Sequence, residues 1–258
     1  KKKCSADPTI QNLFEKETNL RFDSIFKGVS ESASSVRNDI AEYDATLSTG
    51  EDVTISVLPP NRLRLRRMDL FPARSLLFLL DLLGIETKLK KRYQYNISRI
   101  DFDFEREVHS RTKLLAKYGL NFVNTSPHQL FDSVRSLHLP IFVQAPLVHL
   151  STKHIMVTER KPMYYTRSLS AGNVDRLVKC SSEFLFNKNL VLPDFSPFNV
   201  KIENGRISVD RLFSLKEITD EEVGGFAALV AATALKSQEL GRRAAKLLRV
   251  KQCAPLLR

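Results

Sequence analysis

Two hydrophobic periods share this chain, one of about two residues and one of about three and a half. Residues 41–47 and 53–57 alternate apolar and polar positions around Ser48-Thr49-Gly50-Glu51, which predicts a two-stranded hairpin. In its second strand Val53, Ile55 and Val57 share one face, and Thr54 and Ser56 the other. Pro59-Pro60 ends that strand. Residues 142–148 and 154–157 predict a further strand pair. Residues 190–215 predict an apolar lead-in, a turn-rich loop at 194–199, and two short strands joined by Asn204-Gly205, a strong hairpin signal.

Helical spacing covers the rest. Residues 7–27 predict a helix with Pro8 near its start, and 68–83 a second, rich in Leu. Residues 103–118 predict a third, stopped by Gly119, with Phe104, Val108, Leu115 and Tyr118 on one stripe. Glu107 lies beside that stripe and is expected to point inward. Ser170 caps a fourth helix carrying Val174, Leu177, Val178, Phe184 and Leu185. Residues 220–249 predict one long helix with acids first and bases last, as the helix dipole prefers.

Composition narrows the class. With 258 residues, 43% hydrophobic and 27% charged, the chain has core enough for one large domain or two lobes. Its longest apolar run is too short to span a bilayer. Three cysteines far apart and without C-x-x-C spacing argue against a disulfide framework or a zinc site, and for a reducing compartment. The net charge of +11 favours anionic partners, against the plainer reading of solvated basic faces. The chain opens without Met or an apolar signal segment, as expected after removal of an organellar presequence, or of a partial chain.

Chemistry concentrates in the 190–215 stretch. Asp194, Asn199 five positions on, and Asp210 after the strand-turn-strand have the layout of a kinase site. There the first Asp orients the nucleophile, the Asn holds magnesium, and the last Asp bridges magnesium to the phosphates. Asp, Asn and Pro are also common loop residues, so this spacing alone leaves an ordinary loop open.

Other stretches in the same order resemble the aarF-domain, or UbiB-like, atypical kinases. Ser32-Ala33-Ser34-Ser35-Val36 resembles the small-residue loop that replaces the glycine-rich phosphate loop in that family. Residues 49–60, TGEDVTISVLPP, are similar to its T-G-x-x-V-A-V-K-V-Q-x-P strand. Residues 103–107, DFERE, match its D-F-x-x-E helix, and 152–159 its hinge strand. Residues 184–199, FLFNKNLVLPDFSPFN, track its catalytic stretch. The resemblance implies an α+β, two-lobed protein-kinase-like fold. Residues 1–160 would form an N-lobe with an antiparallel sheet and UbiB-like helical insertions. Residues 161–258 would form a reduced, mainly helical C-lobe.

The departures decide the expected function. Ser56 stands where the family's phosphate-clamping lysine belongs, which leaves Glu107 without that ion-pair partner. The loop at 192–199 lacks the family's histidines and glycine, and Asp-Phe-Gly has become Asp210-Arg211-Leu212, a cation beside the metal carboxylate. Phosphoryl transfer rests on positioning and charge compensation around a polyanion, and both are weakened. The expectation is a pseudokinase that serves as a structural or interaction subunit of an organellar assembly, mitochondrial or alternatively plastid. Asp194, Ser56, Glu107, Asn199 and Asp210 would then be vestigial, with no cofactor required and weak ATP–magnesium binding left open. The alternatives are an ATP-binding kinase or ATPase supporting isoprenoid-quinone metabolism, and a basic RNA-associated protein of an organellar ribosome. Other protein subunits are the expected partners. RNA or an anionic membrane would be met through Arg62, Arg64, Arg66, Arg67, Arg242, Arg243, Lys246 and Arg249.

Overall fold

A computed structural model of the chain describes residues 8–37, 40–58, 104–122, 125–160, 171–192, 200–203, 206–209, 212 and 215–250. It divides into two compact units, one of Lys1–Leu139 with Val143–Pro162, the other of Pro140–Phe142 with Met163–Arg258. The predicted helix at 68–83 and the basic cluster Arg62, Arg64, Arg66 and Arg67 lie outside the described residues.

The first unit is built on an antiparallel sheet. It contains α1 (Pro8–Thr18), α2 (Phe22–Ile25), β1 (Phe26–Val29), β2 (Ser35–Arg37), β3 (Ile40–Leu47), β4 (Asp52–Val57), α3 (Phe104–Lys117), α4 (Pro127–Ser136) and β5 (Ile155–Glu159). The strand order is β1-β3-β4-β5, with β2 also paired to β3. The predicted hairpin is present, and its register places Ala41, Tyr43 and Ala45 opposite Val57, Ile55 and Val53. The ladder continues to Val157 and Ile155 on β5. This face is largely apolar, with Val53, Ile55, Ile155 and Val157 fully buried, and Glu159 lies opposite Val53 at its end. Strand pleating puts Glu42, Asp44, Thr54, Ser56, Met156 and Thr158 on the other face.

The first predicted helix ends early. Asn19 takes a left-handed backbone conformation (φ 57°), α2 is a single turn, and Phe26 already belongs to β1. Packing explains the break. Phe14, Phe22 and Phe26 form an aromatic cluster with ring centroids 4.7–5.5 Å apart, and all three are buried. Glu17, in the last turn of α1, reaches the lead-in to β5. There its carboxylate accepts from the Thr152 hydroxyl and lies 2.5 Å from His154 Nδ1.

Residues 142–148 do not form the predicted strand. They make two isolated bridges, Phe142 with Ser208 and Pro146 with Thr158, and then enter a 3-10 turn at Val148–Leu150. Pro140 and Pro146 have no N–H to give to a ladder, which limits the pairing to single bridges.

The second unit contains α5 (Ala171–Lys188), β6 (Leu190–Val191), β7 (Val200–Glu203), β8 (Arg206–Val209), β9 (Lys216–Glu217), α6 (Asp220–Leu235) and α7 (Gln238–Leu247). The predicted hairpin pairs Val200 with Val209 and Glu203 with Arg206, antiparallel. The long helix expected over 220–249 is instead two. Lys236 is left-handed (φ 50°), and the Ser237 hydroxyl accepts from Leu240 N–H to start α7. The break lets the small residues of the two helices face one another. Gly225, Ala232, Gly241 and Ala244 are buried, and a Cβ on Gly225 would stand 2.8 Å from Leu248 Cγ. Thr219 and Glu222 close a capping box at the start of α6. Among the described residues no helix is long and apolar enough to cross a membrane.

Candidate functional site

The site expected from the sequence divides into a described half and a half outside the described residues. Asp194, Asn199, Asp210 and Arg211 belong to the latter. Ser56 and Glu107 are both described, and both lie in the first unit.

Ser56 sits on β4 between Glu42 of β3 and Met156 of β5, and is 4% exposed. Its sheet face has no cation among Glu42, Asp44, Thr54, Ser56, Met156 and Thr158. Two of these six are carboxylates, and Asp44 is bound by Arg160 Nη2 at 2.9 Å. The strand position of the family's phosphate-clamping lysine thus carries a hydroxyl, and none of these six side chains offers a positive charge to a polyphosphate.

Glu107 lies in the first turn of α3 and does point inward, at 1% exposure. The sequence reading left it without a partner, and this is corrected by Arg111, whose Nε donates to Glu107 Oε1 at 2.7 Å. Residues four apart on a helix share a face, so one turn of α3 supplies both charges. The pairing is required by burial, because an uncompensated carboxylate in the core costs several kcal/mol. Arg111 is itself 3% exposed, and its Nη1 donates to the carbonyl of Gln144 at 3.4 Å. An arginine one turn after Glu107 on the same stripe was the signal in the sequence.

A second buried carboxylate extends this polar layer. Gln144 Nε2 donates to the carbonyl of Glu159, whose side chain accepts from Arg135 Nη2 at 2.6 Å and Nε at 2.9 Å. Arg135 belongs to α4, also binds Asp132 at 3.1 Å, and Glu159 raises its pKa above the usual arginine value. The first unit thus holds one fully buried arginine–carboxylate pair, from α3, and one buried carboxylate, Glu159, met from the surface by Arg135 of α4.

The small-residue stretch after β1 is not a hairpin turn. Both β1 and β2 run antiparallel to β3, so residues 30–34 bulge out of one interrupted edge strand. Ser30 N–H donates to Asp44 O, and Ser34 N–H to Glu42 O, each at 2.8 Å. Two of the backbone donors expected to face a ligand are therefore committed to β3. Among the described residues no group of three or more His, Cys, Asp or Glu side chains is placed to hold a metal ion.

These elements define an α+β protein with an antiparallel sheet and, among the described residues, seven α-helices. No family model and no curated protein matches the chain. Among solved structures it is similar to the complex of Rv3197 with erythromycin from Mycobacterium tuberculosis, with a TM-score of 0.61 at 13% identity. The match covers 92% of this chain and 59% of that one. At this identity the likeness is one of fold, and the chain spans less than two thirds of the other protein's length.

Proposed function

We propose that this chain is a catalytically inactive pseudokinase of UbiB-like descent, acting as a structural or interaction subunit of a larger organellar assembly. The observation that carries this reading is the Arg111–Glu107 pair, closed within α3 at 2.7 Å. In the family it resembles, the helix glutamate is tied to the strand lysine that clamps the phosphates. Here the strand position is Ser56, and the glutamate is neutralised by its own helix. Loss of the clamp and retention of the fold then have one cause, an internal charge substitute that frees the strand position to change. A kinase-like, two-lobed arrangement follows as part of the proposal, with the sheet and α3 in its N-lobe.

The interaction role has support on the surface. Val230 and Leu235 on α6 are 61% and 71% exposed, and Val178 on α5 is 58% exposed. Large apolar side chains left in water at this level suit a surface that another subunit covers. The reading is tested by a thermal-shift titration with ATP and magnesium. A ligand that binds only the folded state raises stability by RT ln(1 + [L]/Kd), about 2.7 kcal/mol at a hundredfold excess over Kd. No more than a weak shift at millimolar MgATP is expected, and a large saturable shift accompanied by magnesium-dependent ATP turnover would overturn the inactive reading.

A further inference from the structure

We propose that the outward face of α7 binds the phosphate backbone of nucleic-acid duplexes without reading sequence. This names a partner for the assembly role above, and it uses neither Ser56 nor Glu107. Arg242 and Lys246 stand at i and i+4, on the side of the helix opposite the buried Gly241 and Ala244, and Arg249 follows just past the helix end in a left-handed conformation (φ 53°). Arg243 lies beside them, and all four are exposed. Among the described residues Arg242, Arg243 and Lys246 have no carboxylate within ion-pair distance, and Arg249 has Glu221 at 3.8 Å. Arg111 and Arg135 of the first unit are instead each closed by a buried carboxylate. Glu239 is the one acid within α7.

The row is held rigidly. The inner side of α7 packs on α6 at a distance that only Gly225 allows, and Ser237 caps its start. A row of fixed cations loses less side-chain and backbone freedom on binding than a mobile basic tail does. The choice of partner follows from what the face lacks. A helix that lies on a membrane needs a free apolar side to insert, and the apolar side of α7 is taken up by α6. Hot spots of protein interfaces, arginines included, sit in packed desolvated pockets, whereas the arginines of α7 form an exposed cluster of like charge with Lys246. Gln238, one turn before Arg242, is the one amide side chain on α7, and no aromatic side chain lies on this helix, so stacking on bases is not offered. Phosphate contact by counterion release remains.

The test is fluorescence anisotropy of the full chain with a labelled 20-base-pair duplex, as RNA and as DNA, from low to physiological salt. Both duplexes should bind within a few-fold of each other, with affinity falling steeply as salt rises. The Arg242→Gln/Arg243→Gln/Lys246→Gln variant should lose at least about tenfold in affinity at low salt, and its log–log salt slope should shrink by about 2 to 3. Its melting temperature should be unchanged, because the three side chains are exposed. Four results would overturn the proposal: no duplex binding by the parent chain, unchanged binding by the variant, equal binding to poly-glutamate, or equal binding to vesicles with a third phosphatidylserine. None of them bears on the pseudokinase reading, which MgATP binding tests separately.

Discussion

Arg111 and Glu107 form a buried ion pair one helical turn apart, and each is the charge that makes the other tolerable in the core. Replacing Arg111 by Met should therefore cost about 3–5 kcal/mol, because it removes a buried counter-charge from the Glu107 carboxylate. Adding Glu107→Leu to that variant should recover most of the loss, since an apolar pair of similar volume removes the need for compensation. Urea unfolding of the two single variants and the double variant measures the coupling directly.

The clamp position offers a second test. Ser56 is nearly inaccessible on β4, so Ser56→Lys alone should destabilise the fold by burying a long cationic side chain there. If α3 and β4 keep the kinase-like relation, the Ser56→Lys/Arg111→Met double variant should be more stable than Arg111→Met alone, as the lysine takes over Glu107. Chemical denaturation of the same series checks this, and strictly additive losses would speak against a kinase-like placement of the two positions.

Gly225 is where α6 and α7 touch most closely. Gly225→Ala would put a Cβ 2.8 Å from Leu248 Cγ and 3.0 Å from Leu247 Cβ. The helices must then separate, at a cost of about 1–3 kcal/mol. A lowered thermal midpoint, with weaker duplex binding at low salt as the basic row loses its support, is the expected result.

Cys180 gives a pH signature. Its thiol is buried, donates to the carbonyl of Pro140, and is pushed above the usual cysteine range, first by burial and then by the charge of Glu183. The unfolded chain loses this proton near its ordinary value of about 8.5, before the folded chain does. The contribution to stability is therefore present below that pH and lost above it. In native protein at pH 8 Cys180 should resist iodoacetamide, and it should react once the chain is unfolded, as peptide mass spectrometry would read.

Much of the fold was legible from periodicity. The β3–β4 hairpin, the α3 and α5 helices and the β7–β8 hairpin follow from alternation, stop signals and an Asn-Gly step. The misses share a physical origin in tertiary packing. Residues 220–249 read as one helix because nothing local forbids it, yet packing Gly225 against Leu247 and Leu248 requires the reversal at Lys236. Residues 7–27 likewise read as one helix, whereas closing the Phe14–Phe22–Phe26 cluster requires a turn and a strand. Of the candidate site, the inward direction of Glu107 was legible. Its partner was not legible in the family motif, which ties this glutamate to a strand lysine, whereas Arg111 stands one turn away on the same helix.

The central claim is that this chain has lost phosphoryl chemistry while keeping a neutralised Glu107. It is tested most directly by ATP turnover with radiolabelled nucleotide and magnesium, comparing the parent chain with Asp210→Asn. The account predicts no phosphate release above background from either protein and no difference between them. Release by the parent chain that disappears in Asp210→Asn would contradict it.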